Sequence, residues 1–208
     1  METKQIAELL RPYAELDDRL LAQTLTYINL VVKWNSRINL TAVRGEQEMV
    51  RRHFGESFFA AAKLLSREAS SPVVDVGSGA GFPGLPLAMW APHAPVTLIE
   101  SHGKKAVFLK EVIRALELGN ARVFNGRAED YSDRAELTTM RGVEKFRGAL
   151  ASAVHLIADG GRLALMIGAG QVKDVPELTR QIQWQNPVMV PGGHSRVLLV
   201  GTKSVKVE

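Results

Sequence analysis

Apolar positions in the first third of the chain recur at helical spacing. Leu21, Leu25, Ile28 and Val32 fall on one face of a helix, and a second apolar series runs from Val50 to Leu65. A polar-rich connector, residues 34–44, separates the two series, and residues 66–72 form a linker into the next region. The pattern predicts an N-terminal helical cap over residues 1–66.

After Pro72 the pattern changes to short apolar strands that alternate with helices. The predicted strands are 73–76, 95–100, 122–124, 137–140 and 162–167, and the predicted helices are 85–90, 104–118, 143–157 and 172–180. This alternation is typical of parallel βαβ units with helices on both faces of a sheet. Two further strands, 187–190 and 196–201, are separated only by residues 191–194. That connection is too short for a crossover helix, so we expect an antiparallel hairpin.

The predicted fold class is therefore α/β, with a core over residues 67–208. A doubly wound sheet that ends in an antiparallel hairpin resembles the seven-stranded, Rossmann-like methyltransferase fold. The hairpin distinguishes that fold from an ordinary NAD-binding domain.

The first predicted strand opens into a glycine-rich turn, with glycines at positions 77, 79, 81 and 84. Glycines let the backbone approach a ligand without a Cβ, and the N–H groups of the next helix complete a nucleotide-type pocket. The stretch from Gly79 to Gly84 matches the G-x-G-x-x-G dinucleotide pattern. The longer stretch from Asp75 to Gly81 resembles the first motif of methyltransferases that use S-adenosylmethionine (AdoMet). An acid at Asp75 suits a cationic ligand better than a pyrophosphate, which favours AdoMet.

Further candidate cofactor residues follow the second and third strands. Glu100 ends the second strand, and an acid at this place can accept both ribose hydroxyls of a nucleoside, whether NAD or AdoMet. Ala128 and Glu129 follow the third strand, at the carboxyl edge where we expect an adenine to lie. Phe82, inside the glycine turn, either covers the cofactor or packs as a buried staple.

Composition narrows the classes of protein that fit. The chain has 208 residues and no cysteine, which excludes disulfides, thiolate nucleophiles and cysteine-based zinc sites and fits a reducing cytoplasm. The five histidines are scattered without metal-ligand spacing, so we expect no metal. No apolar run reaches membrane-spanning length, and we expect a cytoplasmic protein with no membrane partner. The net charge of +4 fits an anionic partner such as nucleic acid, or simply a basic solvated surface.

Several sequence blocks, in order along nearly the whole chain, resemble the RsmG family, also called GidB. The blocks are Trp34-Asn35-x-x-x-Asn39-Leu40-Thr41-Ala42-Val43-Arg44, Arg52-His53-Phe54-x-Glu56-Ser57, Asp75 to Ala88, Gly103-Lys104-Lys105-x-x-Phe108-Leu109 and Gly126-Arg127-Ala128-Glu129. Few other families contain these blocks together.

The resemblance implies an AdoMet-dependent enzyme that methylates N7 of one guanine in bacterial 16S ribosomal RNA, with the rRNA, the small ribosomal subunit or an assembly intermediate as its partner. It also implies which residues contact AdoMet. These are Gly77, Phe82, Ala128, Glu129 and Arg141, with Glu100 near the ribose and Gly79 in the same glycine turn.

The chemistry of methyl transfer to N7 of guanine indicates which groups the protein must supply. N7 of guanine carries a lone pair and no proton, so its attack on a sulfonium methyl needs no general base, and we expect no catalytic acid–base residue. Positioning alone contributes several kcal/mol to such a reaction. Candidates for holding the guanine or its phosphates are Asn39, Arg52 and His53, with Lys104 and Lys105 in a basic rim.

Each substrate candidate has a structural alternative, and the function has competitors. Asn39 can cap the connector, His53 can be a satisfied residue at the edge of the core, and the basic side chains can be merely solvated. The competing functions are an AdoMet enzyme with a small-molecule or protein substrate, a nucleotide-binding oxidoreductase, and a binding module that holds AdoMet as a structural ligand.

Overall fold

The computed structural model describes residues 1–142, 146–193 and 195–205. The N-terminal region is helical, as predicted, with α1 (Thr3–Leu10), α2 (Asp18–Asn35), α3 (Glu46–Met49) and α4 (Glu56–Leu64). A six-residue π-helix, Val50–Gly55, joins α3 to α4, so residues 46–64 form one continuous helical rod. The π-helical segment lies inside the helix predicted from Val50 to Leu65.

The remainder of the chain alternates strands and helices. The strands are β1 (Val73–Val76), β2 (Val96–Ile99), β3 (Ala121–Phe124), β4 (Ala135–Arg141), β5 (Ile157–Gly168), β6 (Ile182–Trp184), β7 (Val188–Met189) and β8 (Arg196–Lys203). The helices are α5 (Gly84–Trp90), α6 (Gly103–Ala115), α7 (Phe146–His155) and α8 (Val175–Leu178), with short 3-10 helices at Ala128–Asp130 and Ala169–Asp174. The first three residues of the predicted helix 143–157, and His194 of the predicted connector, lie outside the described residues.

All strands in the described part of the chain belong to one sheet with the order β3-β2-β1-β4-β5-β8-β6, and β7 also pairs with β8. The first five strands pair in parallel, and β8 runs antiparallel to β5. Both β6 and β7 pair antiparallel with β8, at its end and near its start respectively. They act as one strand interrupted near Asn186 and Pro187, so the sheet has seven strand positions. The predicted fold class, with its terminal antiparallel hairpin, is confirmed.

Three short elements differ from the sequence prediction. Residues 172–180 were predicted to be a helix, but only the four residues of α8 are α-helical there, after a 3-10 turn. The following strand, β6, was not predicted because only three residues carry its pattern. Helix α1 was also not predicted, since it buries only Ile6 and Leu10.

The two faces of the sheet carry separate apolar clusters, because successive strand residues point to opposite faces. One cluster includes Val73, Leu98 and Ala164 and packs against α1, α2, α4, α5 and α6. The other includes Val74, Ile99 and Leu165 and packs against α7 and α8. The helical cap therefore shares its hydrophobic core with the first face of the sheet. Within the described ranges, no helix is long and apolar enough to cross a membrane.

Candidate active site

The glycine turn lies at the carboxyl edge of the sheet, between β1 and α5. Gly77, Gly79 and Gly81 have φ values of 69°, 59° and 90°, in the left-handed region that favours glycine. The N–H groups of Gly77 and Ser78 both donate to the Ile99 carbonyl at 3.0 Å, which ties the turn to the end of β2. A Cβ at Gly79 would meet nothing closer than the Gly77 carbonyl oxygen at 3.8 Å, so this part of the turn faces open space.

Asp75 does not face the cleft, contrary to the sequence expectation. Its side chain is fully buried beneath the turn, where Oδ1 accepts from the Thr139 hydroxyl at 2.7 Å and Oδ2 from the Gly84 N–H at 3.3 Å. Burial raises its pKa to about 6, although the hydrogen bonds from Thr139, Ser78 and Gly84 oppose the shift. Asp75 therefore holds the turn to β4 and to the start of α5. Because its carboxyl does not reach the cleft, the sequence argument that this acid favours a cationic ligand is wrong.

Glu100 has the geometry that a ribose-binding acid needs. One carboxylate oxygen accepts from the Gly79 N–H at 2.8 Å and the other from the His102 N–H at 2.7 Å. These two donors fix the carboxylate between the glycine turn and the start of α6, while each oxygen keeps a second lone pair. Asn125 and Gly126 donate to the Glu100 backbone carbonyl at 2.9 and 3.2 Å, which also anchors the end of β3.

A cleft of about 620 Å³ opens at this edge and brings together most of the predicted site residues. Eight of the predicted residues line it, namely Gly77, Gly79, Phe82, Glu100, Arg141, Arg52, His53 and Lys105. Its wall opposite the glycine turn comes from the cap, through the π-helix and the connector that follows α2. The cleft is thus formed jointly by the cap and the core.

Phe82 is a buried member of an aromatic stack. Its ring lies parallel to those of Tyr27 and His53, with centroid distances of 5.2 and 4.9 Å, and Phe54 meets it edge-on at 5.0 Å. Tyr27, from α2, donates its hydroxyl to the Ala80 carbonyl inside the glycine turn. Of the two sequence alternatives, Phe82 acts as a staple between cap and turn, and it also contributes to the cleft wall.

A cluster of charged side chains around the buried Glu56 contributes to one part of the cleft lining. Arg141, at the end of β4, lies 3.2 Å from Glu56 Oε2, and Arg196, at the start of β8, lies 3.6 Å from the same atom. Arg141 also donates to the Arg52 carbonyl at 2.6 Å. Burial lowers the pKa of Arg141 to about 10, although Glu56 opposes the shift, so the guanidinium stays charged at neutral pH. The Arg141 Nη1 group has no hydrogen-bond partner within the described part of the chain.

His53 is held between Arg141 and the connector. Its Nδ1 is 2.9 Å from Arg141 Nη2, and its Nε2 is 2.6 Å from the Thr41 hydroxyl oxygen. Burial, followed by the charges of Arg141, Arg52 and Arg196, lowers the pKa of His53 to about 3. The imidazole is therefore neutral at physiological pH, with both ring nitrogens already in contact with protein groups.

The connector is held in place by Asn35, at the end of α2. Its side-chain oxygen accepts from the N–H groups of Leu40 and Thr41 at 2.9 and 3.0 Å. This is the capping role that the sequence offered as an alternative for Asn39, and it belongs to the earlier asparagine. Asn39 itself is exposed and does not line the cleft.

Three more predicted residues lie outside the cleft lining. Lys104 is exposed on the first turn of α6, next to the cleft-lining Lys105. Ala128 and Glu129 form the start of a 3-10 helix beyond β3, where Glu129 accepts from the Ser152 hydroxyl of α7 at 3.2 Å. Its own backbone N–H and Ser152 lower the pKa of the Glu129 carboxyl.

Sequence reasoning missed three polar residues of the site, Thr41, Glu56 and Arg196, as functional candidates. Arg196 had a usable signal: in a hairpin after a parallel sheet, the last strand starts at the carboxyl edge, where ligands bind. Glu56 and Thr41 lie within blocks that resemble the family, but spacing alone does not reveal that they meet Arg141 and His53.

The donor set fits a nucleoside cofactor that carries a cationic amino-acid tail. A held carboxylate at Glu100 suits ribose hydroxyls, the open face of Gly79 leaves room for close approach, and the charged guanidinium of Arg141 in the cleft lining suits a carboxylate. Within residues 1–142, 146–193 and 195–205, no three histidine, aspartate or glutamate side chains are grouped so that they could hold a metal ion.

Comparison with known proteins agrees with this geometry. The family model described as GidB, rRNA small subunit methyltransferase G, matches residues 20–197. A ribosomal RNA small subunit methyltransferase G from Xanthomonas axonopodis pv. citri (strain 306) is 40% identical over 181 residues, covering 85% of this chain and 84% of the relative. The protein of the same name from Chloroflexus aggregans is 36% identical over 201 residues, covering 90% of this chain and 84% of the relative.

Solved structures of low sequence identity share the fold. An SAM-dependent O-methyltransferase from Thermotoga maritima aligns with a TM-score of 0.61 at 16% identity, over 88% of this chain and 72% of that chain. The fibrillarin pre-rRNA processing protein from Methanococcus jannaschii aligns with a TM-score of 0.60 at 18% identity, over 73% of this chain and 76% of that chain.

The fold and the glycine-lined cleft define the class of AdoMet-dependent methyltransferases. Within that class, the chain belongs to the family of rRNA small subunit methyltransferase G, or GidB, whose model matches most of its length. The resemblance stated from the sequence blocks is confirmed, and the nucleotide-binding oxidoreductase is set aside.

Proposed function

We propose that this chain uses AdoMet to methylate N7 of a single guanine in small-subunit ribosomal RNA. The observation that carries the proposal is the cleft of a GidB family member, in which a held acid, an open glycine turn and cationic side chains line one space of about 620 Å³. Ribosomal RNA as the substrate class follows from the family. The particular guanine, and whether the 16S rRNA is free or part of a subunit or assembly intermediate, are the finer parts of the proposal.

Seven residues are proposed to hold the cofactor, namely Gly77, Gly79, Phe82, Glu100, Ala128, Glu129 and Arg141. Glu100 supports this assignment best, because its carboxylate is already oriented by two N–H donors and keeps lone pairs for ribose hydroxyls. Arg141 lines the cleft and carries a charged guanidinium, which suits the carboxylate of the amino-acid tail. Ala128 and Glu129 stand at the carboxyl edge beyond β3, on the side proposed for the adenine.

The residues proposed to bind the RNA fall into two groups: some line the cleft and form its wall, and others are exposed beside it and form its rim. His53 belongs to the wall, where it positions its neighbours because both ring nitrogens are occupied. Arg52 and Lys105 line the cleft beside it, and Arg52 is half exposed, 3.9 Å from Glu48. Lys104 and Asn39 are exposed outside the lining, which suits contact with phosphates or with neighbouring nucleotides.

The proposed mechanism needs no general base, because N7 has a lone pair and loses no proton. When bound, AdoMet supplies an electrophilic methyl group on a sulfonium. The work of the protein is then to orient the guanine, hold it next to the cofactor end of the cleft and exclude water, which lowers the entropic part of the barrier. The neutral His53 and the paired Arg141 provide fixed groups for that purpose.

The test is methyl transfer from labelled AdoMet to small ribosomal subunits, and separately to naked 16S rRNA, from cells that lack the family enzyme. We expect one 7-methylguanosine per rRNA molecule, identified by mass spectrometry of nucleosides, and its loss in Glu100→Ala. Label in protein or in another nucleoside would contradict the proposal. If the protein binds AdoMet but transfers no methyl group to either RNA, the assignments of fold and cofactor stand and the proposed RNA substrate is wrong.

A further inference from the structure

The hydroxyl of Thr41 has unusual surroundings for a side chain on a loop. Thr41 lies in the connector after α2 and lines the cleft together with Gly79 and Glu100. Its Oγ1 is 2.6 Å from His53 Nε2 and 3.1 Å from the backbone nitrogen of Val43, which donates to it. The direction of each hydrogen bond determines what this hydroxyl can offer a ligand.

Arg141 settles which nitrogen of His53 carries the proton. A guanidinium has only N–H donors, so Arg141 Nη2 donates to Nδ1 across 2.9 Å, and Nδ1 must be the acceptor. The proton of the neutral ring is therefore on Nε2, which donates to Thr41 Oγ1. A protonated ring would place an N–H at Nδ1 against the guanidinium, which agrees with the lowering of the His53 pKa to about 3.

Thr41 Oγ1 consequently accepts two hydrogen bonds, from His53 and from Val43, and a hydroxyl oxygen has two lone pairs. Both lone pairs are occupied, so the hydroxyl can only donate. Within residues 1–142, 146–193 and 195–205, no acceptor is hydrogen-bonded to the Thr41 hydroxyl. An ordinary threonine can switch between donor and acceptor, whereas this one presents a fixed donor from the cleft wall.

We propose that Thr41 is a specificity-determining residue, whose fixed hydroxyl donor bonds O6 of the target guanine and rejects adenine. This inference rests on the proposed function, since it assumes that the base next to the cofactor is methylated at N7. Guanine has the acceptor O6 beside N7, and adenine has an amino donor at the same place. A hydroxyl that cannot accept would face that amino group donor to donor, leaving both unpaired. His53 and Arg141 act through Thr41 as positioning residues.

The experiment compares two bases in two enzymes. The substrates are 16S rRNA molecules that carry guanine or 2-aminopurine at the methylated position, because 2-aminopurine keeps N7 and has hydrogen in place of O6. The enzymes are the wild type, Thr41→Val, which removes the hydroxyl at nearly constant volume, and Thr41→Ser, which retains it. We would measure kcat/KM for each pair, and the Kd for AdoMet of each enzyme by calorimetry.

The decisive quantity is the ratio of kcat/KM for guanine to that for 2-aminopurine. Intrinsic differences in N7 reactivity are the same for every enzyme, so they cancel when ratios are compared. We expect Thr41→Val to lower the ratio about 10- to 100-fold, Thr41→Ser to restore most of it, and the Kd for AdoMet to stay within about twofold. A purely structural role for Thr41 would reduce kcat/KM for both bases equally, and this result would overturn the inference.

The same design separates the inference from the function on which it rests. If wild-type enzyme binds AdoMet but transfers no methyl to guanine RNA, the proposed function is wrong and the role of Thr41 falls with it. If wild-type enzyme methylates guanine and Thr41→Val keeps the wild-type ratio, the function stands and Thr41 does not read O6. A third 16S rRNA, with adenine at the methylated position, tests the rejection of adenine. On it, His53→Phe, which keeps the stack on Phe82, should lower the ratio of guanine to adenine methylation, because it returns a free lone pair to Thr41.

Discussion

Three acids near the cleft have different surroundings, and each therefore has a different role. Asp75 is buried under the glycine turn and accepts from Thr139 and Gly84, Glu100 is held at the cleft wall, and Glu56 lies between two arginines. The sequence places Asp75 and Glu100 at the ends of strands and Glu56 in the cap. Their roles separate only when their burial and partners are known, because residue type and spacing carry no information about which way a side chain points.

At the residue scale, we expect Glu100→Gln to weaken AdoMet binding about 10- to 100-fold, measured as Kd by calorimetry. The carboxylate receives N–H groups on both oxygens, and a glutamine would turn its NH2 toward one of these donors. Glu68→Gln is the control, since Glu68 is exposed with a weak ionic contact to His93 at 3.9 Å. Equal affinities for the wild type and Glu100→Gln would exclude Glu100 from the cofactor site.

His53 and Asp75 should influence the pH dependence of stability in opposite directions. The pKa of His53 falls from about 6.5 to about 3 on folding, so its contribution to stability is lost as the pH falls below about 6.5. The pKa of Asp75 rises from 3.8 to about 6, so the folded state takes up a proton first and gains stability as the pH falls through about 6. Between pH 7 and pH 5 the linkage corresponds to about 2 kcal/mol lost through His53 and about 1 kcal/mol gained through Asp75.

Urea unfolding at the two pH values tests this linkage. We expect His53→Phe to lose less free energy of unfolding than the wild type between pH 7 and pH 5, and Asp75→Asn to lose more. Each variant is compared with itself at the two pH values, so destabilisation at pH 7 does not enter the comparison. The same pH dependence in all three proteins would show that neither group is buried as described.

At the element scale, the glycine turn separates into positions that make room for a ligand and positions that permit packing. Gly79 has a positive φ and open space in front of it, whereas a Cβ at Gly81 would overlap Leu85 and Tyr27. We expect Gly79→Ala to cost about 1 kcal/mol of stability through φ and to weaken AdoMet binding. Gly81→Ala should cost about 2–4 kcal/mol, because it combines the same strain with a clash between turn and cap.

Thermal unfolding and calorimetric titration of both glycine variants distinguish the two effects. The expected pattern is a larger loss of Tm for Gly81→Ala, and a loss of affinity in Gly79→Ala that its small loss of stability does not explain. Equal destabilisation of the two variants would mean that Tyr27 of the cap is not packed closely against the turn at Gly81.

Elements with a strong local pattern were predictable, and those defined by distant contacts were not. Strands β1 and β2 and helix α6 follow directly from apolar spacing and turn residues. The π-helix is invisible to that spacing. So is a distant contact at its end, where Gly55 lies against the ring of Tyr13 and an added Cβ would be 2.8 Å from that ring. The short strands β6 and β7 depend on pairing with β8, and two or three residues carry too little pattern to show it.

The residues of the candidate site also divide into those that local sequence patterns predict and those that only distant contacts bring together. Gly77, Gly79 and Glu100 were predictable, because a parallel sheet places the ends of its strands at one edge. Thr41 was not, since it meets the site through His53, whose ring stacks on Phe82. Glu56 was not, since it reaches the site by pairing with Arg141 from the other half of the chain. Sequence reasoning therefore identified most of the cleft lining at the sheet edge, and only part of the lining that the cap contributes.

At the scale of the whole molecule, the cap and the core share one hydrophobic cluster. Ile6 of α1, Tyr27 of α2 and Phe54 of the π-helix belong to the same buried cluster as Leu98 of β2 and Leu198 of β8. The Tyr27 hydroxyl, through a buried hydrogen bond, and the Arg141 guanidinium also connect the two parts. The boundary between residues 66 and 67 is therefore proposed as a boundary of architecture, and we do not expect two units that fold separately.

Cooperative unfolding of the whole chain tests that expectation with two tryptophans as local probes. Trp34 packs on Phe108 and donates to Glu111 on the cap side of the sheet, while Trp184 lies in the cluster on the opposite face and donates to Thr179. In single-tryptophan variants that keep one or the other, we expect coincident urea transitions with the same midpoint and the same m-value, because a shared core couples its parts. An earlier transition at Trp34 would mean that the cap opens while the core stays folded. AdoMet should then move only the later transition if it binds the core alone, and both transitions together if the cleft wall supplied by the cap is part of its site.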